Sequence, residues 1–254
     1  MRLHQANEVA QGADSWERLH QGSPEAFVEA LCQDALAHSA VDHPYLRRLA
    51  AGDLPDPELA IRDYCHQYYF YSAAFPSYLK SVLQRLEDPV HREMILQNLH
   101  EEQGRDPANP ENIPHTELFQ RFRRAAGVDE AYDAEHGPCA TVQIWRDQFL
   151  QTCGSQHPGV GLGAIGIATE MIVSRVYAYL HQAVVAHTEM TPDDFLFLTL
   201  HMECDDGHAD QMKRISVELA EDRSHREALR FGVLTSLNLR STFWDVMLQR
   251  ALAQ

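Results

Sequence analysis

Residues 160–185 read VGLGAIGIATEMIVSRVYAYLHQAVV and form the most apolar stretch of the chain. Its length suits a helix better than a strand. Glu170, Arg175 and His181 interrupt it, so it fits the interior of a helical protein better than a lipid bilayer. The sequence therefore predicts a buried helix here and no membrane partner.

Helical periodicity extends over nearly the whole chain, and no alternating β-branched run bounded by turn signals predicts a strand. Gly and Pro mostly separate the periodic segments. The predicted helices cover about residues 24–38, 43–51, 56–86, 88–103, 115–126, 138–153, 160–187, 192–220 and 223–252. We therefore expect one all-α domain over residues 1–254, with residues 1–15 loosely ordered.

The composition narrows the possible partners and the cellular location. Lys and Arg number 21 against 37 Asp and Glu, which gives a net charge of −16. Such an acidic chain repels phosphate backbones and anionic lipid surfaces, so we expect no nucleic acid partner. The five cysteines are scattered without a CxxC pair, and residues 1–19 lack the apolar core of a signal peptide. Both features favour a reducing, cytoplasmic location.

Residues 201–208 read HMECDDGH and contain three side chains of types that bind metals. On a helix that turns about 100° per residue, Asp205 lies about 40° from His201, and His208 lies about 20° to the other side. The three side chains therefore project from one narrow stripe. Imidazole and carboxylate together suit iron or manganese better than softer metals. A solvated polar face is the competing interpretation, since neighbouring residues are also acidic.

Three further residues are candidate ligands, each with an ordinary alternative. Glu170 has no other carboxylate within seven residues on either side, and its burial would need a metal or an ion pair, such as one with Arg175. Glu102 follows Glu101 at the end of a predicted helix, where acidic pairs are commonly solvated. His115 follows a proline-rich loop and could equally be the polar start of the next helix.

Together the candidates form a set of three carboxylates and three imidazoles: Glu102, His115, Glu170, His201, Asp205 and His208. They come from several helical regions, as the ligands of carboxylate-bridged two-metal sites in helical bundles do. Two Fe(II) ions need about four negative ligands for neutrality. Three carboxylates therefore leave room for hydroxide or an anionic substrate.

The sequence resembles the haem-oxygenase-like diiron oxidases and oxygenases, which are relatives of pyrroloquinoline-quinone synthase and thiaminase II. The resemblance covers roughly residues 60–215 and rests on the segments NLHEEQG, PHTELFQRF, GIATEMIV and HMECDDGH. The last segment looks very like the motif of the fatty-acid-decarboxylating alkene synthase of this family.

The resemblance implies an up-and-down bundle of about seven core helices that binds two Fe(II) ions and activates O2. By position it implies the six ligands named above, with Glu102 rather than Glu101. N-oxygenating members carry a further carboxylate on the preceding helix, whereas residues 64–86 contain no Asp or Glu. The resemblance therefore favours desaturation, C–C cleavage or decarboxylation over N-oxygenation.

We accordingly expect an iron-dependent oxidoreductase that acts on a small carboxylate-bearing metabolite resembling an amino acid or a fatty acid. Arg175 and Lys213 are the candidate cations for the substrate carboxylate, and each lies five residues beyond a predicted ligand. The aromatic residues between Tyr64 and Phe75 are expected mainly in the core, with a pocket wall as the alternative. A homodimer is compatible with the sequence.

Two other classes of protein are also compatible with the sequence. A metal-free bundle that binds a small heterocycle, as the quinone synthase does, would not depend on His201. A non-catalytic interaction protein would use its acidic faces to recruit a partner and would expose the predicted ligands to solvent. The burial and mutual distances of those ligands are the observations that bear on these alternatives.

Overall fold

The structure is a computed structural model that describes residues 20–109, 111–203 and 205–253, apart from the side chains of residues 203, 205 and 206. The described residues form helices joined by turns, and no strand occurs among them. In chain order the helices are α1 (Pro24–Ala37), α2 (Pro44–Ala51), α3 (Pro57–Ser72), α4 (Phe75–Leu83), α5 (Pro89–Glu102), α6 (His115–Ala125), α7 (Glu130–Glu135), α8 (Ala140–Cys153), α9 (Pro158–His187), α10 (Leu196–Glu203), α11 (Asp205–Leu219) and α12 (Arg223–Leu252). The all-α prediction is confirmed. The expectation for residues 1–15 lies outside the described residues, and the single domain stays a prediction.

Proline and a capping side chain define where many of these helices begin. Helices α1, α2, α3, α5 and α9 start with proline, which has no N–H to leave unsatisfied in the first turn. The Ser23 hydroxyl accepts a hydrogen bond from the Ala26 backbone N–H, and Asp56 and Asp88 cap α3 and α5 in the same way. These caps fix the start of α3 and α5, two of the helices that surround the candidate site.

The prediction of one continuous helix over residues 56–86 is wrong. Helix α3 ends at Ser72 and α4 begins at Phe75. Pro76 lies in the first turn of α4, where it has no N–H for the carbonyl of residue 72 and its ring would clash with that carbonyl. The resulting break places Ser72 and Phe75 on the wall of an internal cavity.

The structure differs from the predicted helices in two other regions. The helix predicted over residues 192–220 begins only at Leu196, because the Thr191 N–H and hydroxyl both donate to the Asp194 carboxylate at 2.8 Å and close a turn. Its remainder forms two elements, α10 and α11. The short helix α7 is not predicted, because it buries no residue and therefore has no apolar face in its sequence.

Helix α9 contains a π-helical segment, Gly163–Glu170, in which every residue is buried. Such segments are rare and occur frequently at functional sites. By length and composition α9 could cross a membrane, yet 83% of its most apolar window is buried inside the protein. This burial is typical of a core helix and confirms the predicted buried helix.

Helices α9 and α12 cross in direct backbone contact. A Cβ atom on Gly232 would lie 2.0 Å from the Val160 carbonyl oxygen, and one on Gly163 would lie 2.2 Å from the Leu229 carbonyl oxygen. Neither distance admits a side chain, so the crossing requires glycine at both positions. The close approach holds α9, and with it the π-helical segment, against α12.

The centre of the bundle is an aromatic core. Tyr64, Tyr68 and Tyr71 of α3 are buried, as are Trp145 of α8 and Trp244 of α12. The Tyr71 and Trp145 rings stack with centroids 3.8 Å apart, and the Tyr68 and Trp244 rings lie parallel at 6.2 Å. The predicted core role of the aromatic run is confirmed. Tyr68 and Tyr71 also line the internal cavity, so the pocket-wall alternative holds for them as well.

Candidate metal centre

Five helices carry the predicted ligands whose side chains are described: Glu102 ends α5, His115 begins α6, Glu170 ends the π-helical segment of α9, His201 lies on α10 and His208 lies on α11. The first four are buried, with 5–8% of their surface exposed, and the fifth is partly buried. A solvated polar face is therefore excluded for these four residues.

Glu102, His115 and His201 form the tightest group. One donor atom from each residue lies within 4.8 Å of the others. The Glu102 Oε1 atom lies 2.9 Å from His115 Nδ1, and the His115 and His201 rings meet edge to face with centroids 4.6 Å apart. One carboxylate and two imidazoles that converge in this way are a donor set suited to iron.

The backbone of α10 orients His201 for metal binding. The His201 Nδ1 atom lies 2.7 Å from the Phe197 carbonyl oxygen, one helical turn earlier, and donates a proton to it. This tautomer leaves Nε2 with a free lone pair, and His201 lines the internal cavity. Burial, with a contribution from nearby His115, lowers the pKa of His201 to about 4. The ring is therefore neutral near pH 7, the form that binds metals.

His115 tests whether a metal fits among these residues. Both of its ring nitrogens are buried and lack a hydrogen-bond partner among the described residues, since the contact with Glu102 lies outside hydrogen-bond geometry. Buried polar atoms are hydrogen bonded in the great majority of cases. A metal ion shared with Glu102 and His201 would satisfy one of these nitrogens. The residues present therefore fit an iron ion.

Glu102 and His115 also stabilise each other electrostatically. Burial by itself raises the pKa of Glu102, but the neighbouring imidazoles of His115, His201 and His208 together outweigh it and hold that pKa below its usual value. Burial likewise lowers the pKa of His115, and the carboxylates of Glu102 and Glu101 together more than reverse that effect. Each group therefore favours the charged form of the other.

Glu170 lies on the wall of the same cavity as Glu102 and His201. Its Oε1 atom accepts a hydrogen bond of 3.0 Å from Asn98 Nδ2, and burial raises its pKa. The alternative of an ion pair with Arg175 is wrong, because Arg175 is exposed and lines a pocket on the outer surface. A buried carboxylate without a Lys or Arg partner among the described residues is suited to bind a metal ion.

His208 reaches the group from α11 and contacts a residue outside the predicted ligand set. Its Nε2 atom lies 3.0 Å from Glu101 Oε2, and the Glu101 side chain is only 29% exposed. Glu101 therefore belongs to the cluster and is not simply a solvated helix end. Its position beside Glu102 was the one sequence signal for this role. The Asp205 side chain lies outside the described residues, so its role as a ligand stays a prediction.

The predicted substrate cations do not lie at the cavity, and this prediction is wrong for both. Lys213 forms an ion pair with Glu29 at 2.7 Å near the surface, and Arg175 is exposed. Five residues on a helix correspond to a rotation of about 140° beyond one full turn, so a residue at that spacing leaves the face of the ligand before it. The spacing used to choose them therefore points away from the metal centre.

A narrow cavity of about 30 Å³ adjoins the candidate ligands. Polar groups on its wall are Glu102, Glu170, His201, Tyr68, Tyr71, Ser72, Thr169 and Tyr177. The sequence analysis missed Tyr177, although it lies seven residues, or about two helical turns, beyond Glu170 and so on the same face of α9. A small space lined by polar and aromatic groups next to candidate metal ligands is suited to a small polar substrate.

Residues 62–241 match a family described as iron-containing redox enzymes. The match covers more than half of the chain, and the chain therefore belongs to this family. A similar characterised protein is the 4-aminobenzoate synthase of Chlamydia pneumoniae. It is 25% identical over 222 residues, which cover 87% of this chain and 93% of that protein.

Solved structures share the fold. A TenA homologue from Pseudomonas syringae pv. tomato matches with a TM-score of 0.72 at 18% identity, covering 89% of this chain and 93% of that one. A domain of unknown function with a haem-oxygenase-like fold, from Shewanella denitrificans, matches with a TM-score of 0.67 at 17% identity, covering 89% and 90%. These similarities confirm the predicted haem-oxygenase-like all-α bundle.

Proposed function

We propose that this protein is a non-haem oxidase or oxygenase that binds two Fe(II) ions and uses O2 to abstract hydrogen from a small carboxylate-bearing metabolite. The observation that carries the proposal is the buried group of Glu102, His115 and His201, in which the His115 nitrogens have no other hydrogen-bond partner. Membership of a family of iron-containing redox enzymes supports the metal and the type of chemistry.

The donor set divides naturally between two ions. Glu102, His115 and His201 would hold one iron, and Glu170, His208 and Asp205 would complete the set for the second. When bound, the irons supply O2 activation and the oxidising power for the reaction. Desaturation, C–C cleavage and decarboxylation are the outcomes that we propose. N-oxygenation is the alternative, which the lack of acids in residues 64–86 disfavours.

The protein's own backbone and side chains would orient the ligands and keep bulk water out. Phe197 fixes the tautomer of His201 through its carbonyl oxygen, and Asn98 holds one oxygen of Glu170. Outer hydrogen bonds of this kind typically change metal affinity or activity by about 10–100-fold. The aromatic walls of the cavity shield the reacting centre, which prevents side reactions with water.

One relative bears on the class of compound that the protein handles. The Chlamydia pneumoniae protein is named for its product, 4-aminobenzoate, a small molecule that carries a carboxylate. We propose that the substrate of this chain is a small carboxylate-bearing compound. The identity of that compound would follow from turnover of a metabolite panel with Fe(II) and O2, analysed by mass spectrometry.

Anaerobic titration with Fe(II) tests the proposal directly. Chelator-treated protein should bind two irons per chain, and addition of O2 with a panel of candidate acids should produce a transient visible absorption. His201→Ala should reduce the bound iron to below one per chain. His136→Ala is the matched control, because His136 is exposed and its ring stacks only on Tyr132.

The same titration distinguishes the remaining alternatives. If the wild-type protein binds less than one iron and gives no absorption with any acid, the iron-dependent oxidase is ruled out. A metal-free bundle that binds a small heterocycle would then be the better description, and His201→Ala would leave its ligand binding intact.

A further inference from the structure

A buried cation lies behind the tyrosines of the cavity. Arg240 of α12 is 1% exposed, and within the described part of the chain no carboxylate lies at ion-pair distance from it. Its guanidinium donates to the hydroxyl oxygens of Tyr68 at 3.3 Å and Tyr71 at 3.4 Å. The Trp145 and Tyr71 rings lie 5.2 and 5.5 Å from the guanidinium and offset part of the cost of burying its charge. An anion close to Arg240 would offset more of it.

Hydrogen-bond counting shows that the tyrosines present a donor to the cavity. The Tyr68 and Tyr177 hydroxyls lie 3.1 Å apart and share one hydrogen bond, which uses one of their two hydroxyl hydrogens. Arg240 is a donor only, so it cannot accept the second hydrogen. No other described residue contacts either oxygen. The second hydrogen is therefore free for a group in the cavity, which both tyrosines line.

The third tyrosine has a different arrangement. Tyr71 also accepts from Arg240 and lines the same cavity. Among the described residues it shares no hydrogen bond with Tyr68 or Tyr177, so the free hydrogen counted above belongs to the Tyr68 and Tyr177 pair whatever Tyr71 bonds.

We propose that the Tyr68 and Tyr177 hydroxyls, backed by the charge of Arg240, bind the carboxylate of a compact substrate in this cavity. This proposal extends the proposed function and rests on it, because only the proposed function makes the bound acid a substrate. A free hydroxyl donor in front of a buried guanidinium without a carboxylate partner among the described residues is complementary to an anion, and a carboxylate accepts such hydrogen bonds well. Arg240 acts through Tyr68 and is therefore a positioning residue.

Charge also sets the orientation of a molecule bound to the chelated protein. Without metal, Glu102 and Glu170 line the same cavity and disfavour a further carboxylate beside them, whereas Arg240 attracts it. The carboxylate should therefore lie at the tyrosine pair, with the remainder of the molecule directed toward the metal ligands. The small volume of the cavity, about 30 Å³, admits the carboxylate with few attached atoms and favours a short acid.

Binding of acids and their amides tests this site. We would measure the Kd of acetate, butyrate and benzoate, each against the amide of the same skeleton, by calorimetry on the full-length protein as isolated and after chelation. Each amide keeps the shape and removes the charge. The wild-type protein should bind at least one acid about tenfold more tightly than its amide. Butyrate is expected to bind more tightly than benzoate.

Substitutions identify the groups responsible. Arg240→Gln should reduce the preference for the acid over its amide to below threefold, and Arg240→Lys should restore part of this preference. Arg226→Gln is the matched control, because Arg226 is also buried but donates to backbone carbonyls away from the cavity, such as that of Ala220. It should keep the full preference, as a purely structural effect of losing a buried arginine would not discriminate acid from amide.

Conservative variants cover the case in which Arg240→Gln does not fold. Tyr68→Phe and Tyr177→Phe each keep the ring, and each should lower the acid preference at least threefold. No preference for any acid in the wild-type protein, or an unchanged preference in folded Arg240→Gln or in both phenylalanine variants, would overturn the site. The acid preference can be measured on chelated protein, which contains no iron. If the protein fails to bind iron but still prefers acids to amides, the proposed function is contradicted and the carboxylate site is not.

Discussion

The Nε2 atom of His208 lies 3.0 Å from the Oε2 atom of Glu101, the residue directly before the predicted ligand Glu102. Burial lowers the pKa of His208, but the hydrogen bond to Glu101 and the charges of the nearby carboxylates outweigh it and raise that pKa to about 9. His208 therefore carries a positive charge near pH 7. A metal ion that takes His208 as a ligand must displace a proton from the ring.

This pair predicts how the stability of the metal-free protein depends on pH. The folded pKa of His208 lies above its unfolded value of about 6.5, so the stabilisation is complete below pH 6.5 and is lost as the pH rises through 9. We expect a loss of roughly 1–3 kcal/mol in the free energy of unfolding, since one pKa unit corresponds to about 1.4 kcal/mol. Urea unfolding at pH 6.5, 8 and 9.5 measures it.

Glu101→Gln provides the comparison for that experiment, because it keeps the shape of the side chain and removes its charge. Its stability should fall less between pH 6.5 and 9.5 than that of the wild-type protein. Equal pH dependence in the two proteins would show that Glu101 does not hold the proton on His208. Glu93→Gln on the same helix, at a more exposed position, should behave as the wild-type protein does.

The hydrogen bond from Asn98 to Glu170 predicts an effect on the affinity for the second iron. Its Nδ2 atom holds Glu170 Oε1 at 3.0 Å, and Asn98 itself is fully buried. Asn98→Ala should therefore weaken binding of the second Fe(II) ion by about 10–100-fold, as is typical when the partner of a metal ligand is removed. Anaerobic Fe(II) titration measures this effect. Asn238→Ala, at an exposed position on α12, should leave both affinities unchanged.

Most of the residues that the structure brings together at the candidate centre could be predicted from the sequence, because each of their signals is local. Their role as metal ligands stays a prediction. Glu170 is an acid in an apolar helix, and His201 and His208 share one face of a helical pattern. These are properties of neighbouring residues, and they do not depend on how the helices pack. The helices themselves could be predicted for the same reason, since their periodicity is visible within a few turns.

The remaining features depend on contacts between distant segments. Arg240 lies against Tyr68 and Tyr71, and nothing in the sequence around Arg240 indicates which helix it meets. The π-helical segment before Glu170 likewise has no sequence pattern of its own. Arg175 was chosen by spacing alone, whereas the buried arginine behind the cavity, Arg240, lies on another helix. Tertiary packing therefore determines which side chains surround the cavity.

Removal of the metal predicts a change in thermal stability. A ligand that binds only the folded state stabilises it by about 2.7 kcal/mol at a hundredfold excess over its Kd. The buried Glu102 and His201 donors should therefore make the iron-loaded protein melt several degrees above the chelated protein in a thermal scan. In Glu102→Gln the difference in Tm between iron-loaded and chelated protein should be clearly smaller, because the first iron loses a ligand while the ligands of the second remain. An undiminished difference in that variant would place the first iron elsewhere.

The crossing of α9 and α12 predicts an unusual effect for a glycine substitution in a helix. Replacement of glycine by alanine inside a helix normally stabilises it by about 1 kcal/mol. At Gly232 the added Cβ atom would lie 2.0 Å from the Val160 carbonyl oxygen, so Gly232→Ala should instead lose about 1–3 kcal/mol. Because Val160 lies just before the π-helical segment, we also expect weaker iron binding at Glu170.

Gly137→Ala is the matched control, since a Cβ atom at Gly137 would have no neighbour within 4 Å. Its free energy of unfolding should stay within about 0.5 kcal/mol of the wild-type value. Denaturant unfolding of the chelated proteins gives the stabilities, and Fe(II) titration gives the affinities. If Gly232→Ala proves as stable as the wild-type protein, the two helices do not cross in backbone contact. If it loses stability but binds iron normally, the crossing supports the fold without setting the position of Glu170.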